Sequence, residues 1–480
     1  MLSRQRTKIV CTVGPATEDD DVLREMMRAG MTVARLNFSH GSHDYHRSNI
    51  ERVRRIADEL GVTVAIMVDT KGPEIRTGLT VGHQPIELKT GSHVIVTTEP
   101  VEATAERFSI SYQALPREVE CGSTIYVDDG LIGLRVERVE GNDIHCTVTN
   151  SGILKEHKGV NVPNVIMELP AVTEQDRLDI QFACEMQVDA IAASFIRDGA
   201  AVREIRDLCV ECGCPDMFVI SKIESSLALE NFEDILVESD GIMVARGDLG
   251  IEIPTAEVPF RQKEIIERCN DTYKPVITAT QMLDSMVHNP RPTRAEVTDV
   301  ANAIFDGTDC VMLSAETAAG AYPVESVRMM AEICQQAEQR LPERHTYHDR
   351  GGLRNVSGAT SFGAVEMAQR VGASALLCPT DSGRTARIMA AFRPHFPIIA
   401  TSRFERTVRR TSFFWGVMGL IAPEQDGLAQ ICYGALRVAR KAGHVKTDDL
   451  VVITAGDPIT SPLTKRSETS TNVTMVAQVF

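Results

Sequence analysis

Short apolar, β-branched runs alternate with amphipathic stretches along most of the chain, the rhythm of parallel strands joined by crossover helices. The spacing predicts a strand over 8–13, a helix over 21–28 stopped by Gly30, and a strand over 33–37. A helix over 45–60 stopped by Gly61 and a strand over 64–69 follow. From Gly72 to about Glu168 helical periodicity disappears, and 85–88, 93–97, 123–127, 133–139 and 143–149 read as short strands between Gly and Asp-Gly turns, a small all-β insertion. Alternation resumes with a helix over 174–186 and strands at 190–194, 218–222, 242–246, 276–280 and 310–314. Three strands before the insertion and five after it make eight, the number that closes a (β/α)8 TIM barrel. Beyond a charged, Pro- and Gly-containing stretch at 342–358, further strands near Ala375, Ile398, Val417 and Val451 and at 473–480 predict a separate α/β domain. The expected fold class is therefore α/β, with the barrel over 1–71 and 169–342, the β insertion over 72–168 and a C-terminal α/β domain over 343–480.

Composition narrows the class. The chain has 480 residues, of which 43% are hydrophobic, 24% charged and 5% aromatic, as in a folded globular protein. Fifty Lys and Arg against 66 Asp and Glu leave a net charge of −16, which repels nucleic acids and anionic membrane surfaces, so neither is an expected partner. No apolar run approaches the ~20 residues of a membrane span and the first residues do not form a signal peptide, so the expected location is the cytoplasm. Twelve Cys are scattered, mostly within apolar runs, and buried free thiols are expected rather than disulfides. Cys209, Cys212 and Cys214 have metal-like spacing but no second Cys/His pair nearby, which favours a helix end with incidental thiols over a zinc site.

In such a barrel, chemistry gathers at the carboxyl ends of the strands. Those ends are polar here: Arg35-Leu-Asn37-Phe-Ser39-His40, Asp69-Thr70-Lys71, Lys222-Ile-Glu224, Arg246-Gly247-Asp248, Thr278 with Thr280, and Ser314-Ala-Glu316. Singly, each reads as a cap, a turn or solvated surface. Together they deliver charge to one rim, at a desolvation cost that ions and substrate must offset. Glu224 and Asp248 offer hard carboxylate oxygens suited to octahedral Mg²⁺ or Mn²⁺. Lys222 projects to the same side of its strand as Glu224, where an ammonium neutralises charge developing on a nearby oxygen. Arg35 and Arg76 add planar donors that match phosphate, completing a phosphoryl-transfer constellation. Asn37, Ser39 and Asp69 form a second oxygen cluster with one formal charge, suited to a weakly charged cation or to an ordinary helix cap. Thr380-Asp381-Ser382-Gly383-Arg384-Thr385 lies between a strand and a helix, where N–H groups and hydroxyls make a phosphate pocket remote from the rim.

Longer stretches carry a resemblance. Thr-Lys-Ile-Val-Cys-Thr-Val-Gly-Pro-Ala-Thr from Thr7, Arg-Leu-Asn-Phe-Ser-His-Gly from Arg35, Asp-Thr-Lys-Gly-Pro-Glu-Ile-Arg-Thr from Asp69 and Lys-Gly-Val-Asn-Val-Pro from Lys158 are four of them. Ile-Ser-Lys-Ile-Glu from Ile220, Met-Val-Ala-Arg-Gly-Asp-Leu-Gly from Met243, Thr-Ala-Thr-Gln-Met-Leu-Asp-Ser-Met from Thr278, Asn-Pro-Arg-Pro-Thr-Arg-Ala-Glu from Asn289 and Leu-Ser-Ala-Glu-Thr from Leu313 continue it. With these the chain resembles the pyruvate kinases, of the bacterial, potassium-dependent, allosteric type, along nearly its whole length. The resemblance implies phosphoryl transfer from phosphoenolpyruvate to ADP and protonation of the enolate to pyruvate. It implies that Arg35 binds the transferring phosphate, Lys222 stabilises the transition state, and Glu224 with Asp248 holds Mg²⁺. Gly247, Asp248 and Thr280 would contact the substrate carboxylate, with Thr280 near the face that receives the proton. Asn37, Ser39, Asp69 and the Thr70 carbonyl would form a potassium site, Glu74 marking the potassium-dependent branch. Arg76 and Lys158, with Asn37, Ser39 and His40 beside them, would contact nucleotide phosphates. The insertion would be a small β-barrel lid, the loop from Thr380 to Thr385 would hold a phosphorylated effector, and the assembly would be a homotetramer. The segment 456–472, with Lys465 and Arg466, departs from the family's Gly-rich effector loop, leaving fructose 1,6-bisphosphate, a sugar monophosphate and AMP open as effectors.

Three rival readings are weaker. A Mg²⁺-dependent phosphoenolpyruvate or pyruvate lyase would use Glu224 and Asp248 but not the insertion, Arg76, Lys158 or the last domain. A Schiff-base aldolase needs a Lys of depressed pKa, whereas acids beside Lys222 hold it charged. A catalytically silent sensor predicts an eroded rim, and the rim is intact.

Overall fold

The computed structural model describes residues 5–341, 356–456 and 471–480. Eight parallel strands close into a barrel: β1 Lys8–Thr12, β2 Met31–Asn37, β3 Ala65–Asp69, β4 Ala190–Ala193, β5 Phe218–Ile223, β6 Gly241–Ala245, β7 Val276–Ala279 and β8 Cys310–Leu313. Every β3, β5 and β6 residue is buried, as expected of strands covered by helices outside and by side chains within. Inward-facing residues mix small or flexible side chains, among them Ala65, Met67, Ala190, Ala192 and Met243, with branched Val10, Val33, Ile220 and Ile277. Their apolar cluster runs on through Phe218 into Phe413 and Phe414, so the C-terminal domain plugs the amino end of the barrel and leaves the carboxyl end open for chemistry.

Helices on the outside start and stop where their ends are satisfied. Ser42 caps Tyr45, and Gly61 ends that helix at φ 62°, a left-handed conformation glycine adopts without penalty. Thr173 and Asp176 form a reciprocal capping box, as do Thr293 and Glu296.

Between β3 and β4 the chain builds a seven-stranded sheet whose spatial order is Ile75–Arg76, Gly159–Asn161, Thr124–Val127, Ile132–Glu140, Asp143–Asn150, His93–Thr97 and Arg107–Ser109. Its outer strands meet through one bridge, Thr77 to Ile110, so the small β-barrel closes by that bridge alone and not by a full ladder. A separate two-stranded pair, Ile86–Leu88 with Gly152–Leu154, lies beside it.

The C-terminal sheet has the order Val417–Ile421, Ile398–Ser402, Ala375–Pro379, Leu450–Ala455 and Val473–Gln478, with only the last strand antiparallel. A buried ion pair fastens this domain to the barrel: Arg393 Nη1 lies 2.7 Å from Asp309 Oδ1, with both side chains under a tenth exposed. Arg393 Nη2 also donates to Asn270 Oδ1 at 3.0 Å and to the Gly307 carbonyl. The single Trp of the chain, Trp415, packs between the guanidinium groups of Arg6 and Arg393.

Candidate active site

The parallel register brings the polar strand ends to one level, Asn37 beside Asp69 and Asp69 beside Ala192. Arg35 on β2 donates from Nε to Asp69 Oδ2 at 2.6 Å and from Nη1 to Thr12 Oγ1 at 2.9 Å. The other Asp69 oxygen lies 3.2 Å from Lys222 Nζ, and that nitrogen lies 2.6 Å from Glu224 Oε1. Residues from β2, β3 and β5 therefore form one chain of alternating charge, Arg35–Asp69–Lys222–Glu224.

Two neighbours fix it. Ser194, just beyond β4, accepts from Lys222 Nζ at 2.7 Å and donates to the Thr70 carbonyl at 2.7 Å. Phe195, held left-handed at φ 54°, turns its N–H onto Glu224 Oε2 at 2.6 Å. Neither residue carries charge, and sequence reading passed over both.

Burial pushes the Lys222 ammonium down, but Asp69, Glu224 and Asp248 outweigh it and hold the group charged, above its ordinary value. Burial likewise opposes ionisation of Asp69, yet Arg35 and Lys222 bring it below the usual carboxylate range. Glu224 rises to about 7 because burial, reinforced by Asp248, exceeds the pull of Lys222. Burial also raises Asp248, in the first turn of the helix Arg246–Glu252, against the attraction of Lys222.

A buried Glu224 and a half-buried Asp248, both with their charged forms disfavoured, gain from a cation between them. Among the described residues no three His, Cys, Asp or Glu side chains cluster to hold a metal, so Glu224 and Asp248 are a two-ligand set. Such a set fits a Mg²⁺ or Mn²⁺ ion that takes its remaining ligands from water and substrate. Both line a cavity of about 300 Å³ with Glu74, Asp129 and Phe195, so barrel and insertion share its walls.

The Thr280 hydroxyl accepts the Gly247 N–H at 2.7 Å and donates to the Ala279 carbonyl at 2.7 Å, while its backbone is left-handed at φ 65°. Arg246, another residue sequence reading left without a role, holds that turn by donating to the Thr280 carbonyl at 2.7 Å and pairing with Asp299 at 2.7 Å. The potassium candidates are grouped: Asn37 Oδ1 accepts the Ser39 N–H at 3.2 Å, and the Thr70 carbonyl accepts from Ser194. His40 contributes its carbonyl to His46 Nε2 at 2.8 Å. Arg76 pairs with Glu74 at 2.6 Å and Lys158 with Asp128 at 2.8 Å, both within the insertion. Glu316, counted with the rim, accepts the backbone N–H groups of Leu283 and Ser314, which is the ordinary capping role.

A sequence profile of the pyruvate kinase barrel domain matches residues 4–327, and one of the pyruvate kinase α/β domain matches 358–477. The chain belongs to the pyruvate kinase family. It is 46% identical over 457 residues to the pyruvate kinase of Clostridium acetobutylicum, covering 95% of this chain and 96% of that one. It is 48% identical over 460 residues to the pyruvate kinase of Geobacillus stearothermophilus, covering 95% of this chain and 78% of the relative, and 46% identical to that of Staphylococcus aureus. The chain is accordingly a phosphotransferase of the pyruvate kinase type.

In the C-terminal domain of this pyruvate kinase family member, Thr380, Asp381, Ser382, Arg384 and Thr385 line a cavity of about 450 Å³. Gly383 caps the helix Arg384–Ala391 at φ 82°, and its N–H donates to Thr380 Oγ1 at 3.0 Å. Lys465 and Arg466 lie outside the described residues. No described helix is long and apolar enough to cross a membrane.

Proposed function

We propose that this chain transfers the phosphoryl group of phosphoenolpyruvate to ADP, giving pyruvate and ATP. The observation that carries the reading is the Arg35–Asp69–Lys222–Glu224 chain at the carboxyl end of the barrel, beside a cavity of small-substrate size.

Arg35 turns its planar donors onto the phosphoryl oxygens, exchanging Asp69 for substrate. Lys222, kept charged by its acidic neighbours, faces the oxygens on which charge builds as the phosphoryl group moves. The Gly247 N–H and the Thr280 hydroxyl, bonded to each other at rest, would orient the substrate carboxylate. Thr280 stands where the enolate carbon takes its proton. Glu224 and Asp248 would hold Mg²⁺ or Mn²⁺, which when bound supplies Lewis-acid stabilisation of phosphoryl charge. Asn37, Ser39, Asp69 and the Thr70 carbonyl would hold K⁺. Asn37, Ser39, His40, Arg76 and Lys158 receive the nucleotide phosphates, the last two after release from Glu74 and Asp128. The insertion over 72–168 acts as a lid on the barrel of 1–71 and 169–342, excluding water that would otherwise accept the phosphoryl group.

The domain over 343–480 is read as regulatory, with a phosphorylated effector in the pocket of Thr380, Asp381, Ser382, Gly383, Arg384 and Thr385. A homotetramer in the cytoplasm completes the proposal. The test is Lys222→Met in a phosphoenolpyruvate- and ADP-dependent assay of pyruvate. Turnover falls by about 10²–10³-fold or more with circular dichroism unchanged, and a variant with ordinary turnover would sink the reading.

A further inference from the structure

The insertion leaves the barrel after β3 and returns to it through the stretch 162–171, so two arms carry it. Both arms bear on one short loop, Ser194 to Arg197, which follows β4. The outgoing arm is stitched to that loop at Thr70, whose hydroxyl accepts the Ser194 N–H at 3.2 Å and whose carbonyl accepts the Ser194 hydroxyl at 2.7 Å. Two residues on, Gly72 stands at φ 70° and donates its N–H to the buried Asp176 carboxylate at 2.9 Å. A Cβ at Gly72 would lie 2.6 Å from Phe195 Cδ2 and 3.1 Å from Ser194 Cβ, so glycine alone lets the arm pass this close.

The returning arm belongs to no helix or strand from 162 to 171, so its carbonyls depend on donors from elsewhere. Arg197 supplies two: Nη1 donates to the Met167 carbonyl at 2.7 Å, and Nη2 donates to the Leu169 carbonyl. This fork straddles Glu168, whose own N–H goes the other way, to Glu118 Oε1 of the insertion at 3.1 Å. The same Glu118 oxygen accepts the Tyr112 hydroxyl at 2.7 Å. Met167 and Leu169 pack their side chains on the core of the insertion, so insertion and barrel grip the arm at once. Arg197 is itself held, its carbonyl accepting the Asn231 amide at 2.9 Å.

The loop that receives both arms also sets the charges at the barrel mouth. Ser194 accepts from Lys222 Nζ at 2.7 Å, and the Phe195 N–H reaches Glu224 Oε2 at 2.6 Å. That N–H keeps its direction only while Phe195 holds a left-handed φ of 54°, a conformation costly for an aromatic residue unless its surroundings enforce it. We propose that Arg197 is a positioning residue: by pinning the returning arm to the loop that orients Lys222 and Glu224, it couples the stance of the insertion to the set of those two side chains. On the reading of Lys222 and Glu224 as phosphoryl-transfer groups, on which this proposal rests, moving the insertion moves the peptide that aims at Glu224, and lid and charges are set together. Arg197 also lines the cavity of about 300 Å³ beside Glu224, and its substitution separates a positioning role from direct contact with an anionic ligand.

The experiment is hydrogen–deuterium exchange of the full-length protein without ligands, read by mass spectrometry, together with initial rates against phosphoenolpyruvate and ADP. Wild type, Arg197→Met, Arg197→Lys and Gly72→Ala are compared. In Arg197→Met, exchange should quicken in two peptides, the one holding Glu168 and the one holding Phe195, while the rest of the barrel keeps its protection. Arg197→Lys, with a single ammonium in place of the fork, should lie between Arg197→Met and wild type. Gly72→Ala should lose protection at Phe195 with Arg197 intact. Turnover of Arg197→Met should fall by about 10–10²-fold, with KM for either substrate changed far less. Quicker exchange at Glu168 alone, with Phe195 still protected, would overturn the coupling by showing a merely local hinge contact. A raised KM with exchange unchanged would overturn it as well, by making Arg197 a ligand contact. If Arg197→Met does not fold, Arg197→Lys decides among the same outcomes. Because exchange needs no substrate, a wild type that forms no pyruvate would sink the phosphoryl-transfer reading while the exchange data still decide the coupling.

Discussion

Replacing Arg393 with Met tests whether the buried ion pair at the domain seam carries the docking of the C-terminal domain. The substitution keeps apolar volume but strips Asp309 of its counter-charge, leaving Oδ2 with the Val276 N–H at 3.0 Å and Oδ1 with the Trp415 N–H at 3.4 Å. Removing one partner of a buried pair costs about 3–5 kcal/mol, and the surviving backbone donors place this case near the lower figure. The donors Arg393 sends to Asn270 and Gly307 also vanish, which leaves Asn270 Oδ1 bare while the Gly307 carbonyl keeps the Asn270 amide at 3.1 Å. Because Trp415 is the single Trp and touches Arg393, its fluorescence reports this seam while circular dichroism reports the whole chain. In urea the Trp415 transition should move to lower denaturant ahead of the main loss of helix, and adding Asp309→Asn should recover about 1–2 kcal/mol by removing the orphaned charge. A Trp415 transition that stays in place, or one that still coincides with loss of helix, would refute the reasoning.

Other predictions concern charge and ligands. Lys8 is buried, its Nζ donating to the Val417 carbonyl at 2.6 Å, and burial lowers its pKa from 10.5 to about 8. Between those two values the unfolded chain holds a proton the folded one has lost, so stability rises with pH across the window. Below pH 8 the desolvation cost is fully present, and Lys8→Met should there be more stable than the wild type by up to about 3 kcal/mol, less the lost hydrogen bond. Thermal unfolding of the two proteins from pH 7 to 10 checks whether that gap narrows. With Glu74 present, turnover should fall when K⁺ is replaced by a large organic cation, and equal rates in coupled assays would remove the potassium reading. Arg384→Ala should lose activation by a panel of sugar phosphates and AMP while keeping basal turnover, and undiminished activation would discard the pocket.

The barrel was legible because its strands are short apolar runs that give way to polar and charged residues, as β5 does where Phe218-Val-Ile leads into Ser221 and Lys222. The predicted strand ends at Ser194, Arg246, Thr280 and Ser314 all overshoot by one residue, because the ladder stops at the last apolar residue and the polar residue after it already belongs to the turn. Strands of two or three residues, such as Ile75–Arg76 and Gly159–Asn161, have no periodicity to read and emerge only from pairing. Within the site, Arg35, Lys222 and Glu224 were legible as charges on apolar strands. Ser194 and Phe195 were not, because one is a neutral hydroxyl and the other acts through a backbone N–H whose direction depends on φ.

The alternating chain of charge at the barrel mouth has a consequence for selectivity. Each cation there already has an anion of the protein's own, so an incoming ligand competes with resident carboxylates and not with water. On the proposed reading, a weak, singly charged acid offers Arg35 and Lys222 no more than Asp69 and Glu224 already do, and such an acid should bind poorly. Only a compact, multiply ionised molecule brings enough negative charge to displace the occupants, so the resting arrangement works as a threshold filter before any reaction begins.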